Sequence, residues 1–264
     1  MTKNRPIGMF DSGLGGLTVM QQLVKTLPHE NIVYYGDTAR LPYGGKSRET
    51  IIRYSIENAI FLIEKNIKVL VVACNTATSQ ALDKMQQIFG LPVIGVIDPG
   101  AEHAVETSSH GRIAVLGTRG TIQSEAYQKA ILQRSPNAFI LPIACPLFVP
   151  LVEEGCIDHP ATRMLVREYL MPLKDQNIDT ILLGCTHYPL LKNLIREEVG
   201  EHISIIDSAT SCAEKVAVLL DEMNIRKAST PPLYQYYVSD DPHKFQILGS
   251  SFLGMSIKGV ETKQ

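Results

Sequence analysis

Short apolar runs alternate with helix-spaced patterns along the chain, and most of the runs end in glycine, aspartate or hydroxyl residues. Ile7-Gly-Met-Phe10, Asn31-Ile-Val-Tyr-Tyr35, the run from Lys68 into Cys74, and Leu91-Pro-Val-Ile-Gly-Val-Ile97 read as buried strands. Between them Val19, Leu23 and Leu27 recur at helical spacing, and Ile52, Ile56, Ala59, Ile60 and Ile63 give one apolar face to a helix from about Ser47 to Lys65. The resulting β-α-β-α-β-α order implies a parallel sheet covered by helices on both faces.

Asp98-Pro99-Gly100 breaks this alternation before a helix carrying Ala101, Ala104 and Val105, and a lobe boundary is expected there. The pattern restarts at Arg112-Ile-Ala-Val-Leu-Gly117, then a turn through Thr118 and Thr121, and a helix from about Ser124 to Gln133. Ala138 to Cys145, Asp179 to Gly184 and Ile203 to Ile206 follow as strands, with helices from about Pro160 to Lys174 and Thr210 to Met223. The repeat offset is 106 residues from Ile7 to Ile113 and 111 from Cys74 to Cys185, close enough to suggest duplicated α/β units. The expected architecture is α/β with two pseudo-symmetric lobes, each a parallel-sheet sandwich, and a site in the cleft between them. Residues 1–98 with 208–264 form the first lobe and 99–207 the second. The tail, Tyr234 to Pro242, reads as an edge strand and turn closed by Phe245 to Leu253, and is expected to return to the first lobe.

Two of the strands deliver a thiol. Cys74-Asn75-Thr76-Ala77-Thr78 and Cys185-Thr186-His187-Tyr188-Pro189 each place a cysteine where an apolar run stops and a helical pattern begins, with Pro189 near the first helical position. A cysteine at a helix start lies near unpaired N–H groups that stabilise a thiolate and lower its pKa. In open α/β sheets that edge is also where ligands bind. A lone cysteine is most often a small core residue, as Cys145, Cys156 and Cys212 are expected to be; two in matched settings are harder to explain by packing. Gly13 to Gly16 gives the backbone room to approach a ligand beside Asp11 and Ser12, but the spacing of a dinucleotide or phosphate loop is missing. Glu153 and Glu154 end an apolar run, where paired acids are usually a solvated helix end.

Composition removes several classes of partner. The formal net charge of −2 gives no electrostatic reason to expect nucleic acid or a membrane surface. No signal-like segment and no run of about 18 apolar residues occurs, so a soluble cytoplasmic protein is expected. The five cysteines are widely spread with no CxxC spacing, which favours reduced thiols over a disulfide framework or a zinc ribbon. No metal and no cofactor are expected.

Cys185 with His187 could be a nucleophile pair, and both thiols with His187 could in principle bind zinc. The first leaves the second thiol without a task, and the second lacks a recognised ligand spacing. Racemisation does require two equivalent acid/base groups on opposite faces of one carbon. A non-catalytic amino-acid-binding protein would share the lobes without needing matched thiols.

Phe10-Asp11-Ser12-Gly13, Gly36-Asp37-Thr38-Ala-Arg-Leu-Pro42-Tyr43-Gly44, Ala73-Cys74-Asn75-Thr76, Gly117-Thr118-Arg-Gly-Thr121, Pro146 to Glu154 and Gly184-Cys185-Thr186-His187-Tyr188-Pro189 together resemble bacterial glutamate racemase, in the family's order from Ile7 to about Leu253. The resemblance implies a cofactor-independent isomerase that interconverts L- and D-glutamate and supplies the D-enantiomer for peptidoglycan. It implies Cys74 and Cys185 as the acid/base pair, assisted by Asp11, His187 and Glu153. Ser12, Tyr43, Gly44, Asn75, Thr76, Thr118, Thr121 and Thr186 would join Asp11 and His187 in holding the substrate. Relatives of this kind are usually homodimers. An aspartate-specific relative or a hydantoin racemase would share both cysteines, and the length of the side-chain pocket would distinguish them.

Overall fold

Residues 2–228 and 230–263 are described by the computed structural model. The first repeat runs β1 (Ile7–Asp11), α1 (Leu17–Thr26), β2 (Ile32–Gly36), α2 (Arg48–Glu64), β3 (Val69–Val72), α3 (Asn75–Ile88) and β4 (Val93–Gly95). The second runs α4 (Ile97–Thr107), β5 (Arg112–Gly117), α5 (Arg119–Gln123), α6 (Ala126–Arg134), β6 (Phe139–Ala144), α7 (Phe148–Glu153), α8 (Pro160–Leu170), β7 (Thr180–Gly184), α9 (Lys192–Val199) and β8 (Ser204–Asp207). Then come α10 (Ser208–Glu222), β9 (Tyr234–Val238), α11 (Pro242–Leu253) and β10 (Val260–Thr262).

Two parallel sheets result, ordered β10-β9-β2-β1-β3-β4 and β6-β5-β7-β8. Within each repeat the strands take the same lateral order, second, first, third, fourth, so the duplication suggested by the offsets is a duplication of topology. Both thiols follow the third strand of their repeat. Strands β1, β3 and β7 are buried along their whole length, as expected of strands covered on both faces. Edge strand β6 is largely uncovered, with Phe139 over a third exposed.

The layers explain the helix sequences. One continuous core joins the lobes: Met9, Val69 and Val71 on the first sheet meet Leu17, Met20 and Leu23 of α1, which lie against Ala213 and Val216 of α10, and the same cluster continues to Ile181 and Leu183 of the second sheet. The outer face of the first sheet is covered by α2 and α3, and that of the second by α4 and α6. Helix α2 starts where its N-cap, Ser47, accepts from Thr50 N at 3.3 Å.

Three local expectations need correction. Strand β4 is only three residues long, and Asp98-Pro99-Gly100 lies inside the first turn of α4 instead of before it; a proline costs little there because first-turn N–H groups have no intrahelical acceptor. The turn expected through Thr118 and Thr121 is a short helix, α5, set off by a left-handed φ of 57° at Glu125 from α6, which is the helix expected from about Ser124 to Gln133. Strand β9 is not an edge: it is paired on one side by β2 and on the other by β10. The Phe245–Leu253 segment is part of α11, whose Phe245 packs against Tyr34.

Candidate active site

Cys74 and Cys185 face one cavity, together with Ser12, Leu41, Pro42, Tyr43, Gly44, Asn75, Thr76, Thr118, Val149, Thr186 and His187. The enclosed space is about 20 Å³, room for about one water. A far larger cavity, about 550 Å³, lies at the other end of the second sheet, beside Leu170, Lys174 and Ile203. It contains none of the matched residues, so chemistry and not volume marks the site.

Of the residues singled out by the sequence, ten line this cavity and three stand directly behind it. Thr121 is held in a hydroxyl triangle, 3.3 Å from Thr76 and 3.1 Å from Thr118, which are themselves 2.9 Å apart. Thr118 caps α5 by accepting from Thr121 N at 3.2 Å, so the turn that starts the helix also aims its hydroxyl. Asp11, at the end of β1, accepts from Gly13 N at 2.9 Å and from Thr186 Oγ1 at 3.4 Å. Glu153 Oε1 is 2.6 Å from His187 Nε2, and His187 Nδ1 is 3.9 Å from Cys185 Sγ. Neighbouring Glu154 is exposed beside Lys244, so the solvated helix end expected of both acids holds for one only.

The glycine cluster serves a different close approach from the one expected. A Cβ on Gly15 would collide with Thr186 Oγ1 and His187 Nδ1, so this glycine lets the β1–α1 turn close on the opposite lobe. Thr18 secures that contact by donating to Thr186 O at 3.1 Å. Gly44 is similar: a Cβ there would come within 2.6 Å of Thr118 Cβ.

Electrostatics distinguish the two thiols. Cys74 is the N-cap of α3 and accepts from Ala77 N at 3.4 Å, as a cysteine at a helix start should. Burial nevertheless dominates, with the Asp11 carboxylate adding to it, and the thiol is pushed up to about 12 against the opposing pull of Ala77 N–H and Ser12. The expected lowering of the pKa is therefore overturned here. Cys185 is not at an α-helix start: a 3₁₀ turn, Tyr188–Leu191, intervenes before α9, with Pro189 at its beginning. Its partner is His187. Burial alone would discharge the imidazole, but hydrogen bonds to Cys185 and Glu153 prevail and raise it to about 10. Burial likewise raises Asp11, partly offset by His187.

Behind Tyr43 lies a charged network whose function the sequence did not reveal. Fully buried Asp37 accepts from Arg40 Nε at 2.9 and 2.7 Å and from the Tyr43 hydroxyl, while Asn58 Nδ2 donates to Tyr43 Oη at 3.0 Å. Arg40 also pairs with Glu57 and lies 4.0 Å over the Tyr54 ring. Asp37 and Arg40 belong to a motif of the resemblance but to none of the roles it implied, because the partners that hold Arg40 and Tyr43, Glu57 and Asn58, come from α2. Among the described residues no group of three or more metal-ligating side chains is assembled.

Residues 7–216 match the family model described as Asp/Glu/Hydantoin racemase, and the chain belongs to that family. It is 49% identical to a glutamate racemase from Geobacter metallireducens, over 97% of this chain and 95% of that protein. The structure of a glutamate racemase isoform from Bacillus anthracis superposes with a TM-score of 0.96 at 38% identity, covering 99% of this chain and 98% of that one. A glutamate racemase from Francisella tularensis, in complex with D-glutamate, superposes at 0.94 with 38% identity and the same coverage.

Proposed function

We propose that this chain is a glutamate racemase that works without metal or cofactor, using Cys74 and Cys185 as its two acid/base groups. The observation that carries the reading is the delivery of both thiols, from the equivalent strand of each repeat, to one closed cavity. His187, protonated and held by Glu153, sets a cation beside Cys185, while burial keeps the proton on Cys74. That asymmetry suits the reaction. One thiolate takes the α-proton from one face of the substrate, and the opposing thiol returns its own proton to the other face. The products are the enantiomer and an enzyme with its two protonation states exchanged, with no oxidant or reductant required.

Ser12, Asn75 and the threonine hydroxyls, with the backbone at Tyr43–Gly44, are the groups available to hold the carboxylates, together with Asp11 and His187. Helix-start N–H groups bind such anions without an arginine. The similarity to glutamate racemases supports glutamate over aspartate as substrate. It also supports D-glutamate supply for peptidoglycan, cytoplasmic residence and a homodimer. The lobes are assigned as residues 1–98 with 208–264, and 99–207, a division favoured by the pairing of β9 against β2 and of β5 to β8 among themselves. Among the described residues no helix is long and apolar enough to cross a membrane.

The test is a circular-dichroism assay of the purified protein with L- and D-glutamate and L- and D-aspartate, before and after dialysis against a chelator. Glutamate should lose optical activity from either enantiomer, and dialysis should change nothing. Activity lost on dialysis and restored by zinc would reject the two-thiol reading.

A further inference from the structure

Tyr127, on α6, is a fully buried phenol that belongs to none of the motifs marking the site. Its ring fills space left by two glycines: a Cβ on Gly184 would come within 2.8 Å of it, and one on Gly100 within 3.3 Å of its oxygen. That oxygen reaches across the lobes, with Tyr127 Oη donating to Asn75 Oδ1 at 2.6 Å. Ser208, at the start of α10, stands on the other side of the space over Gly100, where an added Cβ would come within 2.8 Å of its Cβ.

Asn75 immediately follows Cys74, is buried, and lines the cavity. Its Nδ2 is fully enclosed and has no hydrogen-bond partner among the described residues. An amide whose oxygen is occupied by a phenol has only its N–H groups left to offer. The reverse orientation would turn Oδ1 toward the cavity, where it would repel a substrate carboxylate.

We propose that Tyr127 is a positioning residue: its hydroxyl fixes the Asn75 amide so that Nδ2 donates to a substrate carboxylate, and it forms this bond only when the two lobes are closed. The inference rests on the glutamate racemase reading. Tyr127 touches no reacting atom; it acts through Asn75.

The experiment is a double-mutant cycle on the full chain, with KM and kcat measured in both directions for Tyr127→Phe, Asn75→Ala and the pair, and with Asn75→Asp beside them. Tyr127→Phe keeps the ring and should raise KM on the order of tenfold, with a smaller effect on kcat, the loss typical of a weakened bond to a charged group. In the Asn75→Ala background it should add less than about twofold, because the residue it acts through is gone. Asn75→Asp still accepts from Tyr127 but has no N–H, so it should bind glutamate no better than Asn75→Ala.

A Tyr127→Phe enzyme within about twofold of the unaltered one overturns the inference, as does a loss that persists in full without Asn75, the pattern of a packing role. Should Tyr127→Phe fail to fold, the Asn75→Asp enzyme decides: a KM equal to that of the unaltered enzyme shows that no N–H faces the substrate. An unaltered chain that does not racemise glutamate overturns the parent reading and this inference together, whereas an active chain with unresponsive variants overturns this inference alone.

Discussion

Cys74 and His187 are both buried, and burial favours the neutral form of each, yet they end in opposite states because only the histidine has partners strong enough to oppose it. Cys74 faces the Asp11 carboxylate and stays a thiol; His187 sits between Cys185 and Glu153 and stays an imidazolium. Replacing Glu153 with glutamine removes one of the two supports. The His187 ring resonances in a ¹³C-histidine sample should then titrate well below the value of about 10 set by the intact pair, and racemisation should fall. An unmoved titration would show that Cys185 alone holds the charge. The thiols themselves are separated by exchange with deuterated solvent. Cys74→Ala and Cys185→Ala should each abolish racemisation, while leaving the remaining thiol able to exchange the α-hydrogen of one enantiomer only. Near-normal racemisation by either variant would mean that the two-thiol mechanism is wrong. Alanine at Cys145 or Cys212, both buried away from the cavity, should affect stability more than chemistry.

The elements that shape the site were legible to different degrees. Strand ends and N-caps show in local sequence because caps need particular side chains at particular places, as Ser47, Thr118 and Asp207 illustrate. The segment from Asp37 to Lys46 was legible as a motif of the resemblance, with no sign of what holds its shape. Its conformation depends on Asp37, whose carboxylate is buried against Arg40 and Tyr43 and supported from α2 by Asn58. Removing Asp37 takes away the acceptor of both Arg40 Nε and the Tyr43 hydroxyl, while Arg40 keeps Glu57 and Asn58, so the cost is that of lost hydrogen bonds to a charged group, about 1.5–3 kcal/mol. Asp37→Ala should therefore lower the thermal midpoint and raise KM, since Tyr43 and Gly44 line the cavity. A variant with a lowered midpoint but unchanged KM would confine the network to a structural role.

For the whole molecule, the lobes are closed and tied across the cleft. Thr18 bonds Thr186 O, Gln80 Nε2 donates to Gly120 O at 3.0 Å, and Thr76 meets Thr118. A space of about 20 Å³ has room for about one water, so opening of the lobes to admit substrate is expected. Saturating D-glutamate should slow hydrogen exchange at residues 41–46 and 118–121 and leave the distant cavity around Lys174 unchanged. Protection at the distant cavity instead would place binding elsewhere. Stability should also depend on pH in a defined direction. His187 has a folded pKa of about 10 against an ordinary 6.5, so its contribution is complete below 6.5 and lost as pH rises through 10; that of Cys74 is lost between 9 and about 12. The urea midpoint should fall steadily from pH 7 to 10, less steeply in Glu153→Gln, and a midpoint that rises over this range would contradict both assignments.

By itself the sequence determined the α/β class, the duplication and the two thiols, because hydrophobic period, turn residues and a strand ending in cysteine are properties of neighbouring residues. Motif resemblance extended that to thirteen candidate site residues. Only the tertiary structure decided what surrounds them. Gly15 makes room for His187 in the other lobe, Tyr127 grips Asn75 from across the cleft, and Glu153 is drawn inside while Glu154 remains in solvent. The sign of the Cys74 shift belongs to the same group: a helix start argues for a lowered pKa, and burial by groups distant in sequence reverses it. Dielectric environment and long-range contact depend on which surfaces meet, and no local pattern of residues encodes that.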